Sequence, residues 1–196
     1  MKRTHRPDVF GWSRFDEARD VDFHSWAWLR AGGPGVLIDP LPLSAHDAAE
    51  IEAHGPVSHI VVTNSDHTRA ATGLAARWGA QVVGPIAEEG AFEADRWVGN
   101  GDEIVEGLYA IALEGSKTPG ELALLLEGTT LICGDLVRGQ AGGRLNLLPD
   151  AKLQDPEAAR ASVRGLLAYK MVDAVLVGDG WPVFRDGHAR LRELVG

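Results

Sequence analysis

The stretch Val61-Val62-Thr63-Asn64-Ser65-Asp66-His67-Thr68-Arg69 decides the reading of this chain. It closes an apolar run, His59 to Thr63, that reads as a buried strand. An Asp-His pair follows at once, and the spacing predicts a helix from about Asp66 to Trp78, stopped by Gly79. A carboxylate and an imidazole at the end of a buried strand stand where open α/β sheets gather ligands.

Upstream, Val36-Leu37-Ile38-Asp39-Pro40 is a second buried strand, stopped by its proline. Ser44 caps a helix running to about Ala53, with Asp47 and Glu50 near its positive end, and Gly55-Pro56 ends it. Residues 8–30 place Phe10, Trp12, Phe15, Phe23, Trp26 and Trp28 among polar residues and read as antiparallel strands around a turn. Gly32-Gly33-Pro34-Gly35 lacks the Lys-Ser/Thr of a phosphate loop and reads as a hairpin turn.

Downstream, Gln81 to Pro85 is a third strand. Asp102 to Val105, Leu108 to Leu113, Glu121 to Leu126 and Thr129 to Cys133 then form a block of short strands, with Glu127-Gly128 as the last hairpin turn. Gly139 to Gly143 reads as a mobile loop that could cover a pocket. A helix from about Pro156 to Leu167 is capped by Asp155, Val172 to Val177 is a further strand ending in Gly178-Asp179-Gly180, and a last helix covers Gly187 to Val195. Strand–helix units early and late, around a block of hairpins, predict an α+β layered fold with helices outside. There is no internal repeat, so residues 1–196 read as one domain.

The net charge of -9 and the absence of any Lys/Arg-rich run argue against nucleic-acid binding. The single cysteine, Cys133, lies in an apolar run and reads as a buried structural thiol. The basic start is not followed by the apolar segment of a signal peptide, and no apolar run approaches the ~20 residues of a membrane span. A cytoplasmic protein with no membrane association is expected, and the aromatic strands near the N-terminus could supply the edge of a homodimer.

Four polar turns end apolar strands: Asn64 to Arg69, Ser116 to Gly120, Gly134-Asp135 and Gly178 to Gly180. Asp66-His67, then Lys117-Thr118-Pro119-Gly120, then Cys133-Gly134-Asp135-Leu136, then Gly178-Asp179-Gly180 resemble the metallo-β-lactamase superfamily in order and spacing, from about Trp26 onward. The strand ending in Asp39 resembles an early element of that family. The resemblance implies a four-layer αββα sandwich of two mixed sheets with outer helices, and a hydrolase that activates water with one or two metal ions.

The departures from the family pattern matter more. Its His-x-His-x-Asp-His motif corresponds to Val62-Thr63-Asn64-Ser65-Asp66-His67, its next histidine to Lys117, and its last to Asp179, while the bridging aspartate remains as Asp135. The resemblance therefore implies that the first metal position is lost and that Asp66, His67, Asp135 and Asp179 are candidate ligands of a second. That oxygen-rich set suits Mn, Mg or Fe better than Zn, without excluding Zn. In this reading Asp66, Lys117 and Asp179 are catalytic: Lys117 stabilises developing negative charge, and whichever aspartate is not a ligand acts as general base. Asn64, Arg69 and Trp181 are then substrate-binding.

The alternative is a pocket with no ion. Three aspartates are balanced by Lys117, Arg69 and a protonated His67, in a metal-free relative that binds a small anionic ligand or a protein partner. The scattered histidines His46, His54, His59 and His188 read as surface or capping residues, while His24 could line the pocket.

Overall fold

The computed structural model describes residues 1–195. Its strands and helices, in chain order, are β1 (Lys2–Arg3), β2 (Val9–Asp16), β3 (Val21–Trp28), β4 (Gly35–Ile38), α1 (Ala45–His54), β5 (Val57–Val61), α2 (Ala71–Trp78), β6 (Gln81–Pro85) and β7 (Arg96–Val98). There follow β8 (Glu103–Val105), β9 (Leu108–Leu113), β10 (Glu121–Leu126), β11 (Thr130–Cys133), β12 (Val137–Ala141), β13 (Arg144–Leu147), α3 (Pro156–Leu166), β14 (Ala174–Val177) and α4 (Gly187–Val195).

The first seven strands form one sheet in sequential order. Pairing is antiparallel through β4 and parallel from β4 to β7; α1 and α2 return the chain between β4, β5 and β6, and a 3-10 turn with a loop leads from β6 to β7. The second sheet has the order β14-β11-β10-β9-β8, and only β11–β14 is parallel. Three apolar clusters lie between the layers. One, with Trp26, Trp28, Ile38, Leu122 and Leu124, fills the space between the sheets. Leu37, Ile51, Ile60 and Val82 pack beneath α1 and α2, and Leu131, Val163, Val175 and Leu191 beneath α3 and α4. The αββα sandwich of two mixed sheets is therefore the observed architecture. β10 is buried at all six positions, as expected of a central strand covered on both faces.

Local chemistry explains most boundaries. Ser44 Oγ accepts from Asp47 N at 3.0 Å, and Asp155 Oδ1 accepts from Glu157 N and Ala158 N, so both expected caps are formed. The buried tryptophans satisfy their N–H groups: Trp26 donates to Val177 O at 3.3 Å and Trp12 to Leu41 O at 3.2 Å.

Two expectations are corrected. The helix from Asp66 is interrupted: a 3-10 turn spans Ser65–His67, Arg69 takes φ 38, and α2 begins only at Ala71. Residues 139–143 belong to the β12–β13 hairpin, whose glycines and charged residues mask its alternation, rather than to a loop. β1 pairs with Phe10 and Gly11 of β2 at one edge of the large sheet. No helix among the described residues is long and apolar enough to cross a membrane.

Candidate functional site

The site lies where the two sheets are stitched together. Leu122 N donates to Thr63 O at 2.8 Å, His24 N to Gly178 O at 2.7 Å and Gly180 N to Asp22 O at 2.8 Å. These bonds bring the ends of β5, β10, β11 and β14 to one mouth. A cavity of about 480 Å³ opens there, and Asp66, His67, Arg69, Lys117, Asp135 and Asp179 all line it. Six of the residues singled out from four separate turns therefore converge.

Three buried carboxylates hold these turns from beneath, and the sequence reading gave none of them a role in the site. Asp39 ends β4. Its Oδ1 accepts from Thr63 N at 2.7 Å, and its Oδ2 faces Thr63 Oγ1 at 2.6 Å and His67 Nδ1 at 2.8 Å. Glu88 accepts from Ser65 N at 2.5 Å and from Gly120 N at 3.3 Å, tying the Asp66 turn to the Lys117 turn. Glu121 accepts from Ser116 Oγ at 2.5 Å and Leu136 N at 2.8 Å, tying the Lys117 turn to the Asp135 turn. An unbroken polar scaffold thus supports the cavity floor.

Above that scaffold the charges pair. Lys117 Nζ lies 2.8 Å from both Asp66 Oδ2 and Asp135 Oδ2. His67 Nε2 is 3.4 Å from Asp135 Oδ2, so each ring nitrogen faces a carboxylate. Arg138, from β12, pairs with Asp179. Burial alone would depress the His67 pKa, but Asp39 and Asp135 outweigh it and lift the ring to about 9. Burial opposes ionisation of Asp135, yet His67 and Lys117 hold it well below the usual carboxylate range. Burial, reinforced by Asp135, raises Glu121 to about 7.

Asn64 lies beneath the cavity, and Trp181 lies beside it. Asn64 is fully buried, accepts from Asp66 N at 3.0 Å and donates to Asp135 Oδ2 at 3.3 Å, so it braces the turn instead of facing a ligand. Trp181 is 62% exposed and lines an adjoining groove. Arg69 reaches the cavity but donates to backbone, to His24 O at 2.6 Å and Asp39 O at 3.0 Å, and not to an aspartate carboxylate. His24 lines a different cavity and stacks on Trp26 with ring centroids 5.4 Å apart. Cys133 is buried and its thiol is pushed up by burial, consistent with an inert structural role.

His67, Asp135 and Asp179 each offer one ligand atom, all within 4.8 Å of one another. Asp179 Oδ1 is buried without a hydrogen-bond partner among the described residues. The model of the metallo-beta-lactamase superfamily matches residues 1–196. The chain belongs to that superfamily. Its curated relatives include hydroxyacylglutathione hydrolases from Acidiphilium cryptum (strain JF-5), 29% identical over 62% of this chain and 52% of that protein, and from Brucella anthropi, 32% identical over 59% and 51%. The chain thus spans about half the length of the curated relatives it matches. The DIM-1 metallo-beta-lactamase structure superposes with a TM-score of 0.76 at 16% identity, covering 97% of this chain and 92% of that one, which speaks to the fold alone. Members of the superfamily are typically hydrolases dependent on a divalent metal, most often zinc.

Proposed function

We propose that this member of the superfamily uses side-chain cations where its relatives use metal ions, and that it binds a small anionic ligand in the cavity. The observation that supports this reading most strongly is Lys117 Nζ at 2.8 Å from Asp66 and Asp135 together. The ammonium then occupies the carboxylates that an ion would need. His67 adds to the argument, because an imidazolium donating from both nitrogens has no lone pair for a metal. Val62 and Asn64, at the places of the first two histidines, offer no strong ligand either. The residues present do not fit a two-ion centre, and in this pairing they fit a single ion poorly. In this reading Lys117 and Arg69 receive the anion, and Asp66 and Asp135 fix the Lys117 ammonium.

A second reading rests on the unpartnered Asp179 Oδ1 and the three atoms within 4.8 Å. In it one divalent ion, Mn, Fe or Zn, is held by His67, Asp135 and Asp179, with Asp66 as a further ligand or general base in a hydrolase. The relatives named hydroxyacylglutathione hydrolase favour a thioester substrate for that version.

Elemental analysis of untagged protein purified without chelator, beside an Asp66→Ala, His67→Ala double variant, separates the two. The proposed reading expects well under one equivalent of metal in both, and no rise in Tm on adding Mn, Fe or Zn, since an ion that binds only the folded state must stabilise it. Near-stoichiometric metal in the parent and none in the variant would replace it with the second reading.

A further inference from the structure

The cavity's charges do not cancel. Arg19, Arg69, Lys117, Arg138 and Lys152 face Asp66, Asp135 and Asp179 across it, five cations against three carboxylates. The His67–Asp39 pair is neutral as a unit, so the side chains lining the wall include two more cations than carboxylates, with Glu88 and Glu121 buried beneath the floor and Asp20 and Asp22 in the adjoining groove. The surplus has an address. Lys117 and Arg138 have carboxylate partners, whereas neither the Arg19 nor the Lys152 side chain lies within ion-pair distance of a carboxylate among the described residues. Arg19 comes from the β2–β3 turn and Lys152 from the 3-10 turn at Asp150–Lys152, so two separate segments present unpaired cations to one space. Arg138 adds a buried Nε donor with no hydrogen-bond partner, and Arg19 is near enough to repel it. A buried unmade hydrogen bond is costly unless an acceptor reaches it.

These three residues also form the boundary of a second space. A groove of about 720 Å³ shares Arg19, Arg138 and Lys152 with the cavity and continues past Phe15 and Trp181. Phe15 is 54% and Trp181 62% exposed, large apolar areas to leave in water at the mouth of a charged pocket.

Resting on the proposed reading of the site as an anion pocket, we infer that its ligand is a phosphate monoester on a flat apolar body. The doubly charged tetrahedral head accepts from Arg19, Lys152 and Arg138 Nε, and the body lies in the groove against Trp181 and Phe15. Three donors from separate segments suit oxygens that diverge in space better than a planar carboxylate does.

Isothermal titration of the full chain, as isolated, with phenyl phosphate, inorganic phosphate and benzoate tests this. Phenyl phosphate is expected to bind about tenfold tighter than inorganic phosphate, the share of one aromatic contact. Benzoate, with one charge, is expected to bind more weakly than phenyl phosphate. An Arg19→Gln, Lys152→Gln double variant should lose roughly tenfold to a hundredfold for both phosphates, the equivalent of one or two charge-assisted hydrogen bonds. Both positions are exposed, so its Tm should stay near the parent's. Trp181→Ala should bring phenyl phosphate down to the affinity of inorganic phosphate and leave the latter unchanged. Benzoate binding as tightly as phenyl phosphate, unchanged affinities in the double variant, or no binding of either phosphate would overturn the inference. Stoichiometric metal in the isolated protein would overturn the ion-free reading alone, because the titrations score the ligand on that same protein.

Discussion

At the scale of single residues, Lys117 decides the character of the site. Its ammonium is half-buried, and Asp135, one of its two partners, is 2% exposed. Lys117→Met keeps the length of the stem and removes the charge, leaving Asp135 with the His67 cation and the neutral Asn64 amide. Stranding a buried charge in this way costs ~3 kcal/mol, so urea unfolding of this variant should show a loss of that size. A loss under about 0.5 kcal/mol would mean that water already screens the pair, as it does for exposed ion pairs. Asp66, His67, Lys117, Asp135 and Asp179 were legible in the sequence because each follows an apolar strand, in a familiar order. Arg138, Arg19 and Lys152 were not. Arg138 enters through a hairpin whose alternation is hidden by Gly139 and Gln140, and the other two sit in turns whose neighbours only the folded chain reveals. Glu88 and Glu121 carried a weak signal: each is a carboxylate next to an apolar stretch, and no local pattern says what it will bond.

At the scale of elements, the final strand's exit fixes the far wall of the cavity. After β14 the chain passes through Asp179, Gly180 and Trp181, with Gly139 N donating to Asp179 O at 3.1 Å and Trp181 N to Gly139 O at 2.5 Å. Gly180 has φ 82, and a Cβ on it would lie 2.1 Å from Gly139 O. Gly180→Ala combines a left-handed backbone with a collision against another main chain, so it should destabilise by at least ~1–3 kcal/mol, the usual range for backbone strain alone. Because the collision displaces Asp179 and Trp181 together, the variant should also weaken phenyl phosphate binding. A variant as stable as the parent would mean that β12 and the exit strand are not held in register. The interrupted helix shows the limit of periodicity at this scale. Ala71 to Trp78 kept its helical pattern, but the residues before it obey the site: Asn64 caps a short turn, and the positive φ of Arg69 separates that turn from α2. The αββα layering was readable because apolar strands and caps are local features. The partition into seven and five strands depends on long-range pairing and on β7, only three residues long.

For the whole molecule, the buried titrating groups set how stability follows pH. His67 has an ordinary pKa of 6.5 and about 9 when folded, so its pairing contributes fully below the first value and is lost as pH rises through the second. Glu121 moves from 4.5 to about 7, so the folded chain keeps a proton that the unfolded chain releases, and stability falls across that window as pH rises. Asp135 runs the other way: its contribution is present above its ordinary 3.8 and is lost as pH falls below it. These three groups alone favour pH 4–5, while His5, His24 and His59, whose pKa burial lowers, remove stability as pH falls below 6.5, so Tm should decline from about pH 7 toward pH 9. Thermal melts across that range should show it, and Glu121→Gln should remove the Glu121 share of the profile below about pH 7 while leaving the decline due to His67. An unchanged profile in Glu121→Gln would mean that Glu121 is already ionised at the bottom of the window. The parallel pairing of β11 with β14 has a consequence in time. Thr130 lies beside Ala174, and β12, β13 and α3 are threaded between them. As the chain leaves the ribosome, the segments bearing Asp39, His67, Lys117 and Asp135 emerge long before the one bearing Asp179. A nascent chain halted ahead of that strand holds most of the charges with nothing to close the far wall, so the newborn protein acquires its ligand pocket only after β14 has been made.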